Sequence, residues 1–200
     1  MKKFLLVAGT VLLSMTANAQ DKGLEGTWWA AGQVSFSSTK TGNVETNSNM
    51  VLPIVGTFIS PSVTVGLGVG TAGSKSVNGA GTTTSDSNTF VIKPLVRKYW
   101  NVKGGLFFYG QAALPVQIGK ESVSEAKYSS VALEVSPGFD YVVNSWLTVE
   151  TSFTIFNVGS ETSTPKTGDK TTTFGFNANP MNSVGDREIG KLQVGVKFLF

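Results

Sequence analysis

The sequence predicts an all-β fold: an eight-stranded antiparallel up-and-down transmembrane barrel, with short periplasmic turns and longer extracellular loops. Three observations predict it. Apolar residues recur with a period of two along most of the chain after residue 20. The connections between these stretches alternate strictly between short and long. Aromatic residues gather beside the short connections and the chain ends.

The first residues stand apart from this pattern. Lys2 and Lys3 precede an apolar run from Phe4 to Leu13, and Ala17-Asn18-Ala19 follows. This is the layout of a secretory signal peptide, with cleavage expected after Ala19. The expected division is residues 1–19 as signal and 20–200 as one barrel domain, exported to the bacterial outer membrane. The formal charge of +3 includes Lys2 and Lys3, so it does not point to nucleic acid. Charged residues make up only 14% of the chain, against about a quarter in an ordinary soluble domain. With no Cys, the domain must hold together by pairing and packing alone.

The expected strands, in order, are Thr27–Thr39, Asn49–Ser60, Val63–Ser74, Asn88–Trp100, Leu106–Gly119, Tyr128–Val143, Trp146–Ser160 and Glu188–Phe200. Each meets or exceeds the ~9–11 residues with which a tilted strand crosses a bilayer. Pro61-Ser62, Asn101–Gly104 and Asn144-Ser145 are the short connections. The long polar ones are Lys40–Ser48, Lys75–Ser87, Lys120–Lys127 and Glu161–Arg187. A soluble sandwich has no reason to sort its loops in this way. A barrel inserted from one side of a membrane does.

Residue parity assigns two faces to each strand. Val65, Leu67 and Val69 oppose Thr64, Gly66 and Gly68 in the third strand, and Phe90, Ile92 and Val96 oppose Lys93, Arg97 and Tyr99 in the fourth. Leu133, Val135 and Phe139 oppose Glu134, Ser136 and Asp140 in the sixth, and Leu147 and Val149 oppose Thr148 and Glu150 in the seventh. The second strand is ambiguous, with apolar residues on both faces. A membrane barrel turns the apolar set outward and the charged set inward. The inward charges then form a lumen network: Arg97, Asp140, Glu150 and Lys197 near the short-turn rim, with Lys93, Glu134 and Lys191 deeper. The narrow interior of eight strands requires such charges to pair, so the expectation is a salt-bridged plug rather than an open pore. The periplasmic-rim aromatics are Trp28, Phe58, Trp100, Phe108, Tyr141, Trp146 and Phe198. Pro53, Pro94, Pro115 and Pro137 fall inside strands, where proline cannot complete a ladder; bulges are the available explanation.

Four stretches carry a resemblance to a known family: Leu52–Gly68 across the first short turn, Lys93–Trp100, Ser136–Tyr141 and Val194–Phe200. The chain resembles the small outer-membrane β-barrels of Gram-negative bacteria, of the Bacteroidetes outer-membrane barrel type, with OmpX and the OmpA membrane domain as more distant relatives. The resemblance implies that Phe198 and Phe200 belong to a terminal signal read by the barrel-insertion machinery. It implies outer-membrane lipid and lipopolysaccharide as surroundings, and a monomer.

Catalysis is not expected. The absence of His and Cys removes Ser-His and thiol chemistry and the usual zinc sites. The pairs Glu121/Glu125 and Glu161/Asp169 could in principle support carboxylate chemistry, but read more simply as solvated loop charges. No cofactor or metal is expected. The expected role is structural or interactive; a narrow porin passing small solutes and a soluble lipocalin-like periplasmic barrel holding an apolar ligand are the alternatives.

Overall fold

A computed structural model describes residues 24–178 and 193–200 of the chain. Among these residues eleven strand segments make one antiparallel sheet that closes on itself: β1 (Trp28–Thr41), β2 (Val44–Ser60), β3 (Val63–Val77), β4 (Thr83–Lys103), β5 (Leu106–Ala113), β6 (Val116–Glu121), β7 (Lys127–Asn144), β8 (Leu147–Ser152), β9 (Phe156–Thr164), β10 (Thr171–Asn177) and β11 (Gln193–Leu199). Segments β5 and β6 are two halves of one barrel strand, because both pair with β4 and β7. The same holds for β8 with β9 along β7, and for β10 with β11 along that composite strand. The barrel therefore has eight strands, and it closes where Trp29, Ala30 and Ala31 meet Leu199, Phe198 and Lys197. Phe200 and Trp28 exchange two backbone hydrogen bonds, of 2.8 and 3.1 Å, at this seam.

The prolines account for the breaks. The β2–β3 ladder skips Leu52 and Pro53 without changing register, as expected where one N–H is missing. Pro94 and Pro115 lie in one gap between β4 and the β5–β6 strand, where the Pro94 carbonyl still accepts from the Leu114 N–H at 2.9 Å. At Pro137 the pairing of β7 changes from Gly138↔Ser152 to Val135↔Phe156, so the opposite strand carries one extra residue. This is a true bulge. Beyond it the parity of the seventh barrel strand reverses, and Asn157 is buried while Phe156 meets Phe176 edge-on, ring centres 5.4 Å apart.

Two sets of expected boundaries are corrected. The segments Lys40–Ser48 and Lys75–Ser87 are largely strand rather than loop, whereas Lys120–Lys127 is mostly connection, as expected. Only Gly42-Asn43, residues 78–82 and residues 122–126 connect the strands there, and residues 165–170 join β9 to β10. These stretches are polar on both faces, so they show no alternation. Threonine and serine nonetheless suit a strand when their hydroxyls pair across it, as Ser48 does with Ser74 and Thr46 with Ser76, each at 2.9 Å. In the last barrel strand the described segments are Thr171–Asn177 and Gln193–Leu199, so the start expected at Glu188 lies outside the described residues, as does the expected signal peptide.

The apolar set faces out. Val55, Leu67, Ile92, Val96, Leu114, Ile118, Leu133, Phe139, Val149, Val194 and Val196 are all exposed around the cylinder. Inside, Trp29, Leu52, Ile54, Phe58, Leu95, Tyr99, Tyr109 and Leu199 form a compact core toward the short-turn end. Leu199, out of step with the apolar alternation of the last strand, closes this core from below.

Candidate functional site

The interior charges come from strands on different sides of the cylinder, and parity alone aims them at one another. Arg97 on β4 reaches Glu150 on β8, Nη1 to Oε2 at 2.6 Å. Its Nε donates to Gln111 Oε1 at 2.7 Å. Lys197 on β11 forms an ion pair with Asp140 on β7, lies 4.0 Å from Glu150 and donates to the Tyr99 hydroxyl at 3.1 Å. Deeper in the lumen Lys93 meets Glu134 at 3.0 Å. Six of the seven expected charges are thus paired side chain to side chain. The seventh, Lys191, lies outside the described residues.

Aromatic rings complete the layer. The Arg97 guanidinium sits between Trp29 and Tyr109, 5.2 and 4.8 Å from their ring centres. Lys197 lies 5.0 Å from the centre of Tyr99. The rings Phe58, Tyr99 and Tyr109 follow one another at 5.6 and 5.4 Å. Trp29 fits because two strands carry glycine beneath it: a Cβ on Gly56 would stand 2.4 Å from the indole, and one on Gly66 2.9 Å. Its N–H donates to Thr64 Oγ1 at 2.6 Å, and that hydroxyl donates to the Thr57 carbonyl at 2.6 Å. Fully desolvated polar groups need such partners. Trp29 and Gln111 were not expected in the network. Trp29 was masked by its neighbour Trp28, since both faces of β1 begin with tryptophan.

Phe58 corrects the expected rim. It is buried in the lumen, 3% exposed, and does not face outward. The short-turn end of the barrel is filled with aromatic side chains, so both faces of β2 are apolar there and parity had no polar face to read. The other rim aromatics point outward: Trp28, Trp100, Tyr141, Trp146 and Phe198 are exposed, and Phe108 packs between Trp100 at 5.6 Å and Phe139 at 5.4 Å. Trp146 stacks on Phe198 at 6.0 Å, with ring planes 3° apart. Phe200 is partly buried at the seam, its backbone paired with Trp28.

Above the charge layer lies a cavity of about 290 Å³, lined among others by Gln33, Lys93, Gln111, Glu150, Ser152 and Gln193. Gln33 and Gln193 hydrogen-bond at 3.0 Å across its wall. The arrangement can neutralise charge and exclude water below this cavity. Among the described residues no cluster of three His, Cys, Asp or Glu could hold a metal. The loop carboxylates are separately engaged: Glu121 accepts from the Asp86 N–H at 2.7 Å and the Val123 N–H at 3.2 Å, and Glu125 pairs with Lys166 at 2.7 Å.

No family model matches the chain, and no curated protein matches it. Among solved structures the chain is similar to the outer membrane protein OprG from Pseudomonas aeruginosa. The match has 14% sequence identity and a TM-score of 0.45, and covers 90% of this chain and 98% of that one.

Proposed function

We propose that the protein is an integral outer-membrane β-barrel of structural or surface-interaction role, whose lumen is closed by its own ion pairs. One observation carries the reading: apolar side chains cover the outside of a closed barrel while its charges pair inside. Water would not tolerate the exterior. Exposed apolar patches on soluble monomers rarely exceed a few hundred Å², whereas this belt runs across every barrel strand. Lipid would tolerate it, because closure leaves no unpaired edge. Along β4 the outward face runs from Trp100 to Phe90, and the one charge between them, Lys98, sits beside the short-turn rim and donates to Ser62 Oγ at 2.6 Å. Ten residues at ~3.3 Å, tilted by ~40°, span roughly the 25 Å apolar band of an outer-membrane barrel.

In this reading the short turns face the periplasm and the Ser/Thr-rich hairpins face outward. The terminal strand, with Phe198 toward lipid and Phe200 at the seam, serves the insertion machinery. The chain acts as a monomer without a cofactor and performs no catalysis. The arginine–glutamate and lysine–aspartate pairs with the aromatic layer favour a plug over a conducting pore.

Cell fractionation with external protease tests the reading. Recovery in the outer-membrane fraction, heat-modifiable migration, and cleavage in intact cells at residues 78–82 or 165–170 are expected. A chain that stays soluble without detergent would overturn it. Planar-bilayer recording is expected to show no steady conductance, and a steady open level would replace the plug by the porin.

A further inference from the structure

Like charges placed directly opposite each other in a sheet are destabilising. Lys120 on β6 and Lys127 on β7 are such a pair, register partners that both face outward and are exposed. The register extends them into a row across four strands: Asn88, Lys120, Lys127 and Thr164. An amide, two ammonium groups and a hydroxyl, all exposed, stand side by side on the outer face. Of the acids nearby, Glu125 pairs with Lys166 and Glu121 accepts from the backbone about the turn at 122–126, while Asp86 is the register partner of Lys75. The height of the row is informative. Two residues below it the same four strands carry Phe90, Ile118, Ser129 and Thr162, and the next outward row is Ile92, Val116, Val131 and Ser160. The lysines therefore stand ~7 Å along the strand above the last large apolar side chains. That is where lipid phosphates lie when the apolar belt is in hydrocarbon.

We propose that this row is a binding site for a phosphate group of an outer-leaflet glycolipid, with Lys120 and Lys127 clamping the dianion between them. The proposal rests on the outer-membrane reading above. The phosphate converts the repulsion of two facing ammoniums into two charge-assisted contacts. Asn88 and Thr164 supply flanking donors, and the acyl chains lie against Phe90 and Ile118.

The test uses the full mature chain in phosphatidylcholine nanodiscs, with and without diphosphorylated lipid A. The Lys120→Gln/Lys127→Gln variant is compared with a control, Lys40→Gln/Lys75→Gln, in the hairpins farther out. Without lipid A, the first variant is expected to melt at or above the temperature of the wild type, because the repulsion is gone. With lipid A it is expected to melt below it, and to retain roughly 10- to 30-fold less of the lipid in native mass spectrometry, as two interfacial lysines imply. The control is expected to behave as wild type in both lipids. Equal retention by wild type and Lys120→Gln/Lys127→Gln would overturn the site, as would equal retention of a fully dephosphorylated lipid A. Complete displacement by millimolar inorganic phosphate would make it a plain anion site and overturn the lipid assignment. A chain that fails to enter nanodiscs at all would overturn the membrane reading itself, a result distinct from insertion without lipid selectivity.

Discussion

Arg97 and Glu150 meet across the lumen at 2.6 Å, from β4 and β8, two segments that share no backbone ladder. The contact spans the cylinder and ties its two walls together. Arg97 is also held by Gln111 and by two aromatic faces, so the guanidinium exchanges much of its water shell for protein partners.

Removing one partner should therefore cost more than removing both. Arg97→Ala is expected to destabilise the barrel by about 3–5 kcal/mol, since it strands a buried carboxylate. Glu134→Ala should cost less, because Lys93 is not fully buried. The paired variant Arg97→Met/Glu150→Leu should fall much closer to wild type. Urea-dependent folding into lipid vesicles measures all three. A rise in conductance at unchanged stability in Arg97→Ala would instead favour a selectivity filter.

The tryptophan inside the barrel depends on the glycines beneath it. Gly56→Ala places a methyl group 2.4 Å from the Trp29 ring and from the Val65 carbonyl. An overpacking cost of roughly 1–3 kcal/mol is expected, read as a lower temperature of the heat-modifiable shift. Gly195→Ala meets Glu150 Cγ at an ordinary 3.5 Å and should change that temperature little.

The outer belt makes a depth-dependent prediction. Leu67 is exposed on β3, between Val65 and Val69 and opposite Pro94. Leu67→Arg is expected to cost about 2–4 kcal/mol when the barrel is folded in a bilayer. Lys98→Arg, beside the short-turn rim, should be nearly neutral. Folding equilibria in lipid vesicles compare them, and a neutral Leu67→Arg would mean that this face does not meet hydrocarbon.

The outer turn at 122–126 has its own acid response. Hydrogen bonds from Ser124, and from the backbone N–H groups of Asp86 and Val123, hold the Glu121 carboxyl down at about 2, below its usual 4.5. A group depressed on folding contributes stability that is complete above the unfolded value and is lost as pH falls through the folded one. The Ser124 amide resonance should therefore stay constant down to about pH 3 and move with a midpoint near 2. In Glu121→Gln that titration should vanish.

Much of this molecule follows from local chemistry alone. The two-residue period assigned most outward and inward positions, because each residue's face depends only on its place along a strand. The spacing of turn residues located the short connections after β2 and β7, while the one expected at Asn101–Gly104 falls at Gly104-Gly105 because β4 runs on to Lys103. The inward parity of Arg97, Asp140, Glu150 and Lys197 named the members of the buried charge layer. What the sequence could not decide depends on partners distant along the chain. Phe58 turned inward because the lumen beside it is filled by Trp29, Tyr99 and Tyr109, contributed by three other strands. Trp29 was placed by glycines on β2 and β3. The reversal of parity near Phe156 follows from a ladder mismatch with Pro137 on another strand, and the hydroxyl-rich hairpins hold as strands through cross-strand pairing. Pairing across a closed sheet is a relation between segments, and only the tertiary structure specifies which segments meet and in what register.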